Sequence, residues 1–369
     1  MDADGPVVPD GGTAGPLVDP GNAGSAAAVT VRPLRPGDEG RWDAFVRAVP
    51  EATFFHLSGW KRVVERAFGH RTHYLLSERS GTLTGVLPLT HVKSRLFGSS
   101  LISTAFGVHG GPLAADAESL RLLEVEAERL MDALRVPVLE FRSAFGTGEG
   151  WLTRSGLYAT FHRAIEASIA QNLKALPFKR RNKIRKGQKN RLKSEVDPGI
   201  DRLYTVYSEC VRNLGTPVFG KNYFRILREE FPACSDVVTI TCDGQAVAAM
   251  LNFYFRDRVM TYYGGGVHAA RTLAANDFMY WEIMRRACER GYRVFDLGRS
   301  KVGTGPYAFK QQWGCEATPL TYRFRLAPGR RPPELNPLNP KFRLLIAAWK
   351  RLPLSVAARL GPPIVKSIG

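Results

Sequence analysis

The order of structural signals along this chain repeats, and that repetition limits the fold more than any single motif. A short helix is predicted from Ser58 to Phe68, then a strand Thr72 to Ser77, a turn at Glu78-Arg-Ser-Gly81 and a strand Leu83 to Val92. A second helix is predicted from Lys221 to Glu230, then a strand Asp236 to Thr241, a turn at Cys242-Asp-Gly244 and a strand Gln245 to Tyr254. Asp-Gly between β-rich runs favours a tight hairpin. Each stretch continues into a helix and a strand. Leu120, Leu123, Ala127, Leu130 and Leu134 fall at helical spacing behind a capping Asp116, and strand Val138 to Arg142 follows. Tyr280, Ile283, Met284, Ala287 and Cys288 make the matching stripe, Gly291 stops it, and strand Tyr292 to Leu297 follows. Helix, hairpin, helix and strand, used twice, describe a duplicated mixed α/β (α+β) domain. Identity between the halves is negligible, so the signal lies in the order.

The length of 369 residues allows two domains with cores of their own. The five cysteines show no paired spacing and no Cys/His cluster, which supports neither a zinc site nor a disulfide frame and points to a reducing compartment. The N-terminus is acidic and Gly/Pro-rich without an apolar core, so residues 1–28 read as disordered and no secretory signal is expected. Leu96 to Ala115 carries no formal charge, but its glycines, Pro112, His109 and hydroxyl residues favour strand and loop over a membrane span.

The net charge of +18 is concentrated in two places. Lys179 to Lys193 holds nine Lys/Arg and no acid, and Lys341 to Gly369 holds six and no acid. Such clusters imply an anionic partner: nucleic acid, phospholipid headgroups or a pyrophosphate-linked substrate. Asn172 to Leu192 has helix-forming composition interrupted at Pro177, with basic groups on every face. It reads either as a solvated basic helix or as a surface that holds phosphates.

Near the end lies Gly298-Arg-Ser-Lys-Val-Gly-Thr-Gly-Pro-Tyr-Ala-Phe-Lys-Gln-Gln-Trp-Gly314, predicted to be a loop after the strand that ends at Leu297. A Gly-rich loop carrying Arg299, Lys301 and Lys310 is suited to bind anions or a developing negative charge; the alternative is a solvated basic loop whose glycines only permit turns. Arg299 and Lys301 suit a phosphate or carboxylate. Tyr307 is placed to orient a substrate. Asp296 is the acid nearest this loop, as proton acceptor or as anchor for Arg299. Asn276 and Asp277 precede the long helix, either capping it or presenting its N-terminus to substrate. A hydrolase nucleophile flanked by glycines and a GxxxxGK[ST] phosphate loop are both missing.

The succession Tyr263-Gly-Gly-Gly266, a helix with Trp281, Phe295-Asp-Leu-Gly298 and Phe309-Lys-Gln-Gln-Trp-Gly314 resembles the FemAB family of non-ribosomal peptidyl and aminoacyl transferases. The wording Gly-Arg-Ser-Lys-Val-Gly-Thr-Gly before Phe-Lys resembles the members associated with PEP-CTERM/exosortase systems, which carry a BioF2-like acetyltransferase domain. The resemblance covers roughly residues 30–325 and is strongest over 258–322.

It implies two tandem GNAT-like domains, each a mixed twisted sheet flanked by helices. The expected division is 29–160 for the first and 161–327 for the second, with a basic helical segment at 174–193. It also implies an N-acyltransferase acting on an amine of a cell-envelope precursor, related to peptidoglycan or exopolysaccharide. Lys310 matches the lysine of the family's Phe-Lys-x-x-Phe-Gly motif, with Trp313 in place of Phe, and is implied to stabilise the oxyanion. The run containing Arg180, Arg181 and Arg185 resembles the family's Arg-Arg-x-x-Ile-Arg-Lys segment and is implied to bind anions. The implied donor is an aminoacyl-tRNA. The glycines of an ordinary coenzyme A loop are missing from His268 to Ala275, which disfavours acyl-CoA without excluding it; no cofactor or metal is expected. The alternatives are an acyl-CoA-dependent enzyme acting on an amino sugar, and a non-catalytic binder of an anionic glycan or lipid.

Residues 328–369 read as a Pro-rich linker and a basic amphipathic tail, with Pro353 breaking one helix and Pro362-Pro363 ending the next. Phe342, Leu344, Leu345, Ile346 and Trp349 beside Lys341, Arg343, Lys350 and Arg351 suit an anionic membrane surface; the competing reading is a helix packed back on the protein. The expected location is cytoplasmic, at the inner face of the cell membrane.

Overall fold

The computed structural model describes residues 28–94, 98–330 and 340–367. The expectations for the disordered N-terminus and the Pro-rich linker fall almost wholly outside these residues. The first half runs β1 (Thr30–Pro33), α1 (Glu39–Ala48), α2 (Gly59–Phe68), β2 (Arg71–Arg79), β3 (Thr82–Ser94), β4 (Gly98–Ser103), β5 (Leu113–Ala114), α3 (Ala117–Ala133) and β6 (Val138–Phe141). The chain continues through β7 (Leu152–Ala164), α4 (Ile169–Ala175), α5 (Phe178–Lys189), β8 (Lys193–Asp197), α6 (Asp201–Leu214) and α7 (Lys221–Glu230). Then come β9 (Ser235–Cys242), β10 (Gln245–Phe255), β11 (Arg258–Gly266), α8 (Ala270–Leu273), α9 (Ala275–Glu289), β12 (Val294–Lys301), α10 (Gly305–Gln311) and β13 (Glu316–Leu326). Two helices close the chain, α11 (Pro340–Lys350) and α12 (Leu354–Lys366).

Local chemistry accounts for most of these boundaries. Both hairpins turn on two residues with positive φ, Ser80-Gly81 and Asp243-Gly244, the backbone twist that matches paired strands. The Asp116 carboxylate accepts the Ser119 N–H and starts α3. Pro177 separates α4 from α5, as its missing N–H requires.

The strands form one sheet in the order β1-β2-β3-β4-β6-β13-β7-β12-β11-β10-β9-β8, with β5 on β3. The last strand, β13, lies between β6 of the first half and β7. A division at 160/161 passes through β7. The Glu124–Arg323 pair, 2.7 Å apart and almost fully buried, ties α3 to β13.

Alternation along the strands builds separate cores on the two faces. Tyr74, Leu76, Val237, Leu251 and Phe253 face a core shared by both halves, with Trp60 and Phe68 of α2, Tyr207 of α6 and Phe224 of α7. On the opposite face, Leu75, Leu87 and Leu101 pack under α3, and Val238, Met250 and Val259 pack under α9 with Ile184 of α5.

Two features differ from expectation. The segment Gly298–Lys301 continues strand β12 instead of forming a loop, because it pairs with β7 after a shift between Asp296 and Gly298. Helix α12 runs through Pro362 and Pro363 instead of ending there. Docking holds it: Ala357 and Val365 are buried, and His70 Nε2 lies 2.7 Å from the Lys366 carbonyl. A Cβ at Gly361 would come within 2.5 Å of the Val218 backbone, so glycine alone fits there. The tail packs on the protein, as the Arg212 bond to the Leu352 carbonyl (3.0 Å) also attests, while Leu344 and Leu345 stay exposed. No helix among the described residues is long and apolar enough to cross a membrane.

Candidate active site

Parallel strands joined by a helix leave a crevice at their carboxyl ends. In the second half β11 and β12 pair over only Arg258↔Val294, Val259↔Phe295 and Met260↔Asp296, then part. Beyond that point β12 turns to β7, with Gly298 in a left-handed conformation (φ 67°) that favours glycine. The glycines at the end of β11 are set by close approach: a Cβ on Gly264 would meet the Ala249 carbonyl at 2.1 Å. One on Gly266 would meet Asn276 Oδ1 at 2.6 Å.

Lys310 lies in the last turn of α10, buried, with its Nζ 3.0 Å from the carbonyl oxygens of both Gly298 and Arg299. The ammonium sits 5.6 Å from the Phe161 ring centroid. Burial lowers its pKa to about 8, with the nearby Asp296 charge opposing that shift. Tyr307, one turn earlier, packs edge-on against Phe161 at 5.0 Å.

Asp296 and Arg299 do not share a face with Lys310. Phe295 and Leu297 point into the α9 core, so Asp296 points the other way. Its carboxylate accepts the Gly298 N–H (2.7 Å) and pairs with Arg258 at 3.2 Å. Asp296 therefore anchors Arg258, not Arg299. The Arg299 guanidinium lies over Tyr158, 4.5 Å from the ring centroid, and donates to Tyr322 Oη at 2.9 Å. Tyr322 in turn donates to the Val108 carbonyl of the first half (3.0 Å), and Tyr262 Oη lies 3.5 Å from the Phe106 carbonyl. Lys301 follows at the end of β12, where burial lowers its pKa.

The N-terminus of α9 opens near the crevice. Neither Asn276 nor Asp277 caps it; Ala274, at positive φ, is the N-cap residue. Asp277 instead accepts bonds from Arg180 (2.8 Å) and from Trp313 Nε1 (3.2 Å), and burial raises its pKa against the pull of Arg180. Asn276 Oδ1 is buried with no hydrogen-bond partner among the described residues.

The basic run divides. Arg180 is buried against Asp277 and also bonds Gln312 at 2.9 Å, so it is a tie between α5, α9 and α10 and not a free anion-binding group. Arg181 is half-buried over the Phe178 ring. Arg185 is exposed, as are Lys179, Lys183, Lys186 and Lys189. Helix α5 sits tight on α9: a Cβ on Gly187 would come within 2.8 Å of Phe278.

Lys310, Tyr307, Asp296, Arg299 and Lys301 are near neighbours along the chain, but the fold separates them: Tyr307 and Lys310 lie on α10 against one face, and Asp296 and Arg299 of β12 turn to the other. Sequence reasoning missed Arg258, Tyr158, Tyr322 and the loop 104–112, which join the site from distant positions and carry no motif. A buried-strand alternation over Val294 to Leu297 was the available signal for the face of Asp296.

Residues 179–311 match the acetyltransferase (GNAT) domain family. No curated protein matches by sequence. Among solved structures the fold is similar to that of FemX (TM-score 0.65, 14% identity, covering 80% of this chain and 96% of that one). It is also similar to a tandem GNAT protein from the clavulanic acid biosynthesis pathway (TM-score 0.53, 12% identity, 82% and 100% covered). A third likeness is to the C-terminal domain of a putative lysylphosphatidylglycerol synthetase from Agrobacterium fabrum (TM-score 0.52, 16% identity, 78% and 91% covered).

Proposed function

We propose that this chain, an acyltransferase with a FemAB-like tandem GNAT fold, moves an aminoacyl or acyl group from an activated donor onto an amine of a cell-envelope precursor. The observation that carries the reading is the Lys310 ammonium, held between two carbonyls beside the parted strands. An ammonium has three N–H donors. Two point to the Gly298 and Arg299 carbonyls, which leaves a third for the oxygen of an acyl group undergoing attack. A cation fixed in a dry site stabilises the tetrahedral state without reorganising. The donor ester or thioester already carries a good leaving group, so positioning and charge placement suffice. Tyr307, wedged on Phe161 beside Lys310, borders the same space.

The N-terminus of α9, with Asn276 in its first turn and the exposed Lys179, Lys183 and Arg185 on α5 next to it, suits the phosphates of a donor carrier. An aminoacyl-tRNA fits the extent of the basic surface. Acyl-CoA is the second reading, favoured by the acetyltransferase family match over 179–311; it would direct the chemistry to an amino sugar in exopolysaccharide assembly. Arg299 and Lys301 on the other side of β12 suit an anionic acceptor. Leu344 and Leu345, exposed on α11 beside basic residues, favour attachment to the inner face of the membrane.

The test is transfer in vitro from aminoacyl-tRNA and from acyl-CoA, in parallel, to amine-bearing peptidoglycan and exopolysaccharide precursors. Mass spectrometry reads the product, with envelope precursors from cells with and without the gene as comparison. Absence of transfer from both donors to every amine would remove the reading.

A further inference from the structure

Helix α10 bears Lys310 but cannot hold it in place by itself. It has seven residues, too few for a helix to keep its own shape in water, and Gly305, Pro306, Ala308 and Gln311 along it are exposed. What fixes it is its C-terminal turn, where several ties converge. Trp313, fully buried, donates its Nε1–H to Asp277 Oδ1 at 3.2 Å. Arg180 donates to the same oxygen at 2.8 Å and to Gln312 Oε1 at 2.9 Å. Its guanidinium also lies 5.7 Å from the Phe309 ring centroid. Arg163 on β7 donates to the Trp313 carbonyl at 2.8 Å. The residues around Lys310 in the chain are thus gripped from α5, α9 and β7.

The Trp313 indole has two separable parts. Its ring packs with Tyr280 at 5.6 Å and Phe295 at 6.5 Å, a role that any large aromatic ring fills. Its N–H serves Asp277. The Arg180–Asp277 pair is almost dehydrated, with side chains 11% and 9% exposed. Ions so placed give up hydration that apolar side chains do not, so the pair is better suited to fixing one arrangement than to adding stability.

We propose that Trp313, Asp277 and Arg180 are positioning residues for the transfer reaction, which set the depth and rotation of α10 and so the point at which the Lys310 ammonium meets the acyl oxygen. This rests on the acyl-transfer reading above. From this seat Lys310 Nζ reaches the Gly298 and Arg299 carbonyls at 3.0 Å. A displacement of α10 by about 1 Å stretches those bonds beyond hydrogen-bond length and turns the third N–H away from the acyl oxygen. None of the three positioning groups needs to touch a reacting atom. Asp277 follows Asn276 in the first turn of α9, and Arg180 follows Lys179 on α5. The clamp therefore joins the two elements proposed to meet the donor's phosphates to the helix that bears the ammonium.

The experiment uses the full chain with whichever donor and amine give transfer. Trp313→Phe keeps an aromatic ring, the residue of the resembling motif, and removes the N–H. It should lower kcat by ~10-fold to 10²-fold with little change in KM, the size expected of a small misplacement. Asp277→Ala should lower kcat at least as far, and adding Trp313→Phe to it should cost nothing more, since the acceptor is already gone. A second readout needs no activity. Lysine-selective NMR, with Lys310→Met to assign the signal, should show Lys310 titrating near 8 in the wild type and nearer 10.5 in Trp313→Phe, as water reaches the loosened ammonium. A loss of stability alone leaves the titration of the folded chain where it was. Unchanged kcat or unchanged Lys310 titration in a folded Trp313→Phe protein overturns the proposal while leaving acyl transfer intact, and so do strictly additive losses. If Trp313→Phe does not fold, Asp277→Asn decides: it keeps the Oδ1 acceptor and should hold kcat well above that of Asp277→Ala, and equal turnover of the two overturns the proposal. A wild-type chain that transfers from neither donor removes the premise and the proposal with it.

Discussion

Replacing Lys310 by methionine separates stability from catalysis. Methionine keeps the length and apolar stem of lysine but brings no charge into the site between α10 and β12. In the folded chain burial lowers the ammonium from 10.5 to about 8, equivalent to about 3 kcal/mol against the charged form. The substitution relieves that penalty. It also leaves the Gly298 and Arg299 carbonyls without their donor, at about 1–3 kcal/mol each. The terms nearly cancel, so at neutral pH the variant should unfold within about 2 kcal/mol of the wild type.

The pH dependence is the sharper readout. Below pH 8 the amine is protonated in both states, and the folded chain bears the burial penalty in full. Between about 8 and 10.5 the unfolded chain holds the proton and the folded chain does not, so wild-type stability should rise with pH across that window. Lys310→Met should lack this rise, since other titrations are common to both proteins. Urea denaturation across the window measures the difference. Turnover of the variant should fall ~10²-fold or more, the size of a lost oxyanion donor. A variant that gains stability as the wild type does, or that keeps full turnover, refutes the account of a buried, catalytic ammonium.

Arg180→Gln strands the Asp277 carboxylate in the interior and should destabilise by about 3 kcal/mol in chemical denaturation. Adding Asp277→Asn should recover part of that loss, and strictly additive losses would contradict a direct pair. Changing Lys179, Lys183 and Arg185 to glutamine should weaken tRNA binding and flatten its salt dependence by roughly one unit of slope per phosphate contact, with thermal melting unchanged. A salt-independent wild-type interaction would argue against a polyanion surface there. Leu344→Glu with Leu345→Glu should release the protein from anionic vesicles in a sedimentation assay; equal pelleting would locate membrane binding elsewhere, or nowhere. Ending the chain before α11 should lower the melting temperature, because α12 covers Val218 and buries Ala357 and Val365.

What the residues alone determined was everything set by near neighbours. Turn chemistry at Asp243-Gly244, the stripe along α9, the cap at Asp116 and the break at Pro177 each depend on a few adjacent positions, and each was legible. The Phe309-Lys310 motif was legible too, because it is contiguous. Tertiary structure decided the rest. Strand β13 could be assigned to the seam between the halves only by its pairing with β6 and β7. Arg180 looked like its basic neighbours until a carboxylate 97 positions away claimed it. Helix α12 outlasts two prolines because docking against Val218 and His70 replaces what its own backbone loses. Arg299 is tied to the first half through Tyr322, whose hydroxyl meets the Val108 carbonyl in a loop that Thr53 and Thr104 hold in place. Periodicity and turn preference act over a few residues, whereas the seam between two halves forms from groups that meet only when distant strands pair.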